Sequence, residues 1–272
     1  MAVSPSAQRP AAAEDTPFVL REQDGAVVRL TLNRPASLNA LSEGMLEGLM
    51  EDLKSIESDS AIRVVILGGA GRAFCAGHDL KQMGAQSEKA YFVELFKACS
   101  AVMLTLTAMP QVVIARVHGM ATAAGCQLVA SCDLAVAAED ARLATSGINA
   151  GLFCSTPSVA LSRNVPRKAA FEMLFTGEFI SAEEARRLGL INRVAPAEYL
   201  DEVVNELAGV ILDKSPVAVT TGKRMYYRQL EMGLTDAYDF AGEAMAENMM
   251  AEDAREGIDA FIQKRTPHWR GR

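Results

Sequence analysis

Short apolar runs alternate with amphipathic stretches through the first half of the chain. Val27-Val28-Arg29-Leu30-Thr31-Leu32 is β-branched and ends at Asn33-Arg34-Pro35, which predicts a strand followed by a turn. Ser42 then opens an amphipathic helix, with Met45, Leu46, Leu49, Leu53 and Ile56 at three- and four-residue spacing. The apolar run from Arg63 to Leu67 predicts a buried strand. Gly68-Gly69-Ala70-Gly71 ends it and begins a loop reaching about Met83. A helix is expected from about Glu88 to Ala108, stopped by Pro110, then a buried strand over 112–117. Gly119 to Thr122 reads as a turn, Ala123 to Ala130 as a helix, and Asp133 to Ala137 as a strand. The order β-β-α-β-α-β-α-β implies a sheet packed on helices.

Beyond about residue 160 the pattern is helical, over 166–175, 196–213, 216–230, 233–249 and 251–264. Ser181-Ala182-Glu183-Glu184 reads as a capping box, in which Glu184 can reach back to the Ser181 backbone N–H. The predicted class is α/β with a helical C-terminal extension. It divides into a disordered leader at 1–16, a core at 17–205 and a helical region at 206–272.

Composition narrows the chemistry. The 272 residues carry a formal charge of -7, against the Lys- and Arg-rich balance that neutralises phosphates, so no nucleic-acid partner is expected. Three histidines, His78, His118 and His268, leave little for a His-rich metal site, and no metal is expected. The five cysteines form no C-x-x-C pair and read as reduced, mostly buried thiols. No membrane span is expected, since no stretch approaches the ~18–20 continuous apolar residues of a transmembrane helix. The N-terminus lacks the apolar segment of a secretory signal, which places the protein in the cytoplasm.

Two loops stand out. Ala73-Phe74-Cys75-Ala76-Gly77-His78-Asp79-Leu80-Lys81 follows a strand, with a glycine that permits a sharp turn or close approach to a ligand. His118 to Leu128 also follows a strand and opens a helix, whose first N–H groups are free. Small residues from Ala121 to Gly125 leave room for an acyl group against the backbone. Two such loops could aim two N–H donors at one carbonyl oxygen.

With these loops the chain resembles the crotonase, or enoyl-CoA hydratase/isomerase, superfamily. The resemblance also rests on Asn33-Arg34-Pro35 with Asn39-Ala40-Leu41, Ser131-Cys132-Asp133, Leu174-Phe175-Thr176-Gly177, Ala185 with Gly189-Leu190, and Gly257 to Lys264-Arg265. The run 121–133 is similar to that of the enoyl-CoA hydratase domain-containing proteins. The resemblance implies a twisted ββα spiral core and assembly into homotrimers, or hexamers of paired trimers. It implies a CoA thioester as substrate or ligand, no permanently bound cofactor, and a setting in fatty-acid metabolism. In a eukaryotic cell it implies the mitochondrial matrix. By position, the backbone N–H groups of His78 and Ala124 are the oxyanion donors. Phe74, Ala76, Gly77, Asp79, Leu80 and Gly125 flank the acyl-CoA. Arg34, Lys81, Lys264 and Arg265 match positions near CoA phosphates, the last two reaching from a neighbouring subunit.

The sequence departs from the hydratases at both acids. The two glutamates that activate water in typical members correspond here to Gln127 and Gly147, neither of which can transfer a proton. Cys154 and Ser155 are the nearby alternatives, with Cys154 also readable as a small wall residue. Asn149 could position water or form a turn, and Cys126 reads as packing. A lyase or isomerase reaction on a CoA thioester, decarboxylation included, and non-catalytic acyl-CoA binding both stay open, with ordinary hydration disfavoured.

Overall fold

The computed structural model describes residues 16–272, so the leader expected at 1–16 lies outside the described residues but for its last position. A six-stranded sheet runs in the order β1 (Val19–Asp24), β2 (Val27–Leu32), β3 (Val64–Gly69), β5 (Val112–Val117), β7 (Leu134–Ala138) and β10 (Arg193–Ala195). β1 and β2 form an antiparallel hairpin; the remaining neighbours are parallel. A second sheet orders four short strands as β4 (Ala73–Cys75), β6 (Met120–Thr122), β8 (Arg142–Ala144) and β9 (Ile180–Ser181). Residues 119–122, expected as a turn, therefore supply a strand of this sheet. β4 likewise lies inside the stretch expected as loop.

Both faces of the central strands are covered. Val65 and Leu67 of β3 face the larger core, with buried residues of α1 (Glu43–Glu57), α3 (Lys89–Ala108) and α4 (Ala124–Ser131). Val64 and Ile66 face a smaller core under α8 (Leu200–Leu212). This double burial explains the unbroken apolar runs in the sequence. Contrary to the expectation of no such stretch, α3 is long and apolar enough to cross a membrane. Here its Leu95, Cys99, Val102, Met103 and Leu106 are buried against the rest of the chain.

Each of β3, β5 and β7 is followed by a short strand of the second sheet and then by helix. β4 leads into α2 (Leu80–Gly84) and α3, β6 into α4, and β8 through a 3-10 turn (Ser146–Ala150) into α5 (Ser155–Asn164). This repeated ββα unit is the spiral core that the resemblance implies. α6 (Arg167–Thr176) and α7 (Ala182–Arg187) follow. The C-terminal part adds α9 (Pro216–Gln229), α10 (Leu234–Met250) and α11 (Glu252–Gln263). The helix expected over 196–213 starts as a 3-10 turn at Ala197–Tyr199. The boundary expected at 205/206 falls inside α8, which packs on the large sheet, so the extension begins after Leu212.

The capping box forms by half. Ser181 Oγ accepts the Glu184 N–H at 3.1 Å, but the Glu184 carboxylate pairs with Arg187 instead of reaching back. All five cysteines are buried and free, as expected of reduced thiols. Helix α9 is fixed to the core by Lys223, whose Nζ donates at 2.7 Å each to Leu106 O, Gln111 O and Asp133 Oδ2. Asp133 also accepts from Tyr227 at 2.9 Å and from the Val113 N–H at 2.7 Å.

Candidate functional site

The first loop is held from behind by residues 38–41. Ala76 N–H donates to Leu38 O at 3.0 Å, Leu41 N–H to Gly77 O at 2.8 Å, and Asp79 N–H to Leu41 O at 3.4 Å. Leu38 and Asn39 adopt positive φ (52° and 55°), and buried Asn39 donates from Nδ2 to Ala70 O, Ala73 O and Phe74 O. Those contacts over-determine a backbone conformation that non-glycine residues seldom adopt. The clamp pairs the N–H groups on either side of His78. The His78 N–H itself finds no acceptor among the described residues.

The second loop turns at Ala123, with φ 51° and ψ -119°, whose N–H is held by Ala144 O at 3.0 Å. Ala124 is the first residue of α4, and its N–H has no acceptor among the described residues, as geometry requires at a helix start. β4 and β6 pair in parallel, with Cys75 opposite Ala121, which sets the two loops side by side. They touch at glycines. Gly77 has φ +89°, and a Cβ there would lie 2.9 Å from Ala123 Cβ and 3.2 Å from Ala124 N. A Cβ on Gly125 would lie 2.2 Å from Cys75 O. Two free backbone donors thus sit on adjoining loops beside a cavity of about 450 Å³.

Ala76, His78, Leu80, Ala124, Gly147, Cys154 and Ser155 all line that cavity. The other expected residues lie elsewhere. Phe74 is fully buried in the larger core, Gly77 and Gly125 serve the loop contact, and Gln127 is buried behind the wall. Asp79 caps α2 through the Lys81 and Gln82 N–H groups and pairs with Arg34 at 3.0 Å, so both charges are already engaged. Lys81 is exposed at the start of α2. Lys264 is exposed at the end of α11 with φ 55°, away from the cavity lining. Arg265 is bound by both Glu256 oxygens.

The region of the two missing acids is closed differently. A Cβ on Gly147 would lie 2.6 Å from Leu152 O and 2.8 Å from Cys154 Sγ, so the 3-10 turn and the start of α5 occupy that space. Burial pushes the Cys154 thiol up from its ordinary range, opposed by the Gly147 backbone, so it is a neutral thiol at neutral pH. Burial raises Cys126 to about 12, which suits packing. Asn149 is exposed on the cavity wall, its Nδ2 donating to Gly177 O at 3.4 Å.

A sequence profile described as Enoyl-CoA hydratase/isomerase matches residues 22–272. The chain belongs to this family. Enoyl-CoA hydratase domain-containing protein 3, mitochondrial, from Rattus norvegicus is 47% identical over 268 residues, covering 98% of this chain and 89% of that one. The 2,3-dehydroadipyl-CoA hydratase of Escherichia coli is 35% identical over 258 residues, covering 94% and 98%. A crystal structure of an enoyl-CoA hydratase from Mycobacterium smegmatis superposes with a TM-score of 0.92 at 55% identity, covering 93% of this chain and 99% of that one. Human enoyl coenzyme A hydratase domain-containing protein 3 gives 0.90 at 44% identity, covering 93% and 100%.

Within this enoyl-CoA hydratase/isomerase fold, two sets of site residues escaped sequence reasoning. Met83 and Phe96 form one cavity wall, with Phe96 edge-on to the His78 ring at 5.4 Å. Their helical periodicity marks them only as apolar. Thr122 and Ser146, joined at 2.7 Å between their hydroxyls, tie β6 to the turn that carries Gly147. They are 24 residues apart, and no local pattern links them.

Proposed function

We propose that the cavity binds a CoA thioester, with the carbonyl oxygen between the backbone N–H groups of His78 and Ala124. The carrying observation is the pair of free donors on adjoining loops, held by the 38–41 clamp and the α4 start. Preorganised N–H groups stabilise the negative charge that develops on such an oxygen. Family membership supports the ligand class. On this reading the chain does not perform ordinary enoyl-CoA hydration, because Gln127 does not titrate and position 147 has no side chain.

Cys154 and Ser155 do not replace the lost base. The thiol is held neutral by burial, and the exposed Ser155 hydroxyl lies 3.4 Å from Phe153 O with no base assigned to it. Binding without hydration is therefore the function that the site supports best. The ligand exchanges freely, with no resident cofactor, in the cytoplasm or in the matrix of a eukaryotic mitochondrion. Assembly into homotrimers or hexamers belongs to the same reading, with Lys264 facing a neighbouring subunit's ligand.

The direct test incubates the protein with crotonyl-CoA and follows the conjugated absorbance, in parallel with thermal denaturation in butyryl-CoA. We expect no turnover above the uncatalysed rate. At ligand a hundredfold above Kd, binding adds about 2.7 kcal/mol of stability. Robust turnover, or no stabilisation by any thioester, would overturn the reading.

A further inference from the structure

Buried polar atoms without partners cluster around the two donors. Gln127 is 4% exposed, and its Oε1 has no hydrogen-bond partner among the described residues. It lies one turn beyond Ala124, on the same face of α4. His78 shows the same feature twice, since Nδ1 and Nε2 are both buried and both without a partner. Leaving such a group unpaired costs roughly 1–3 kcal/mol, and in native structures each one asks for an explanation. Here the unpaired atoms belong to the two residues that flank the place where the thioester carbonyl is held.

The rest of the wall limits what could satisfy them. Among the described residues, no Asp, Glu, Lys or Arg lines the cavity. A carboxylate on the acyl chain would be buried there without a cation, beside the lone pairs of Gln127 Oε1. A plain alkyl chain would cover the unpaired atoms without bonding them. A hydroxyl group both donates and accepts. It can donate to Gln127 Oε1 and accept from an imidazole N–H. Burial lowers the His78 pKa, so the ring is neutral and offers one N–H and one lone pair. Its carbon edge lies against Phe96, and rotation about Cβ–Cγ presents a ring nitrogen to the cavity.

We infer that Gln127 and the His78 imidazole make the site selective for an uncharged acyl thioester carrying a hydroxyl close to its carbonyl. The inference rests on the thioester reading of this cavity. It names two specificity-determining side chains, and it sets malonyl-type thioesters, and with them decarboxylation, aside.

The test is calorimetric titration of the full chain with butyryl-CoA, 3-hydroxybutyryl-CoA and methylmalonyl-CoA. We expect 3-hydroxybutyryl-CoA to bind about tenfold tighter than butyryl-CoA, the effect of one or two well-made hydrogen bonds, and methylmalonyl-CoA to bind more weakly than either. Gln127→Leu brings butyryl- and 3-hydroxybutyryl-CoA to equal affinity. His78→Phe keeps the backbone donor and an aromatic ring beside Phe96 while narrowing the same preference. Equal affinities in the parent protein, tighter binding of methylmalonyl-CoA, or an unchanged preference in both variants would overturn the inference. If butyryl-CoA and the other two all fail to bind, the thioester reading itself falls.

Discussion

Replacing Lys223 with methionine destabilises the fold by about 3–5 kcal/mol, the cost of stranding a buried partner charge. Lys223 has a side-chain exposure of 5%, and Asp133 of 12%. The ammonium satisfies two backbone carbonyls as well as the carboxylate, and Asp133 in turn holds the Val113 N–H and Tyr227. Burial raises the Asp133 pKa and lowers that of Lys223, and each charge opposes the shift of the other. Removing one leaves the other without its compensation. Urea denaturation of the single variants and of Lys223→Met with Asp133→Asn measures the coupling. The double variant should lose less than the sum of the singles. Strictly additive losses would show that the pair does not act as a unit.

Gly125→Ala should be nearly as damaging, and it acts on the site directly. The added methyl would stand 2.2 Å from Cys75 O and 2.8 Å from Cys75 C, both backbone atoms. Neither loop can yield alone, because β4 is paired with β6 and clamped by Asn39. A loss of about 3 kcal/mol is expected, at the upper end of ordinary overpacking. Separation of α4 from β4 also parts the two donors, so thioester binding should fall with stability. The control is Gly209→Ala, where an added methyl meets nothing within 4 Å and the middle of α8 gains helix propensity. Gly125→Ala with parental stability and affinity would show that the contact is not tight.

The strands buried on both faces were legible in the sequence because β3, β5 and β7 are apolar at every position that a covered sheet requires. α1 was legible too, down to the Ser42 cap, whose hydroxyl accepts the Met45 N–H at 3.3 Å. The second sheet was not. Ala73–Cys75, Met120–Thr122 and Arg142–Ala144 are three residues each, too short to show a period, and they pair with strands distant in sequence. Yet this sheet is what brings the two loops together. α5 was equally hidden, because Ser155-Thr156-Pro157-Ser158 reads as loop.

The site was legible in part. The His78 and Ala124 positions came from the two loops and the resemblance, and the missing acids came from counting along the second loop. That Gly147 has no room for a side chain was not readable. The atoms that would crowd it belong to residues 152 and 154, folded over it by the 3-10 turn. Phe74 and Asp79 misled for a physical reason. One is pulled into the core beneath β4, and the other spends its carboxylate on a helix cap and Arg34.

The central claim is that two backbone N–H groups hold one thioester oxygen. Difference infrared spectroscopy of the protein with butyryl-CoA labelled by carbon-13 at the thioester carbonyl reads that contact directly. The account predicts a carbonyl stretch at lower frequency in the complex than in water, because two preorganised donors polarise the bond more than solvent does. A bound ligand whose carbonyl stretch stays at its aqueous frequency or rises would contradict it.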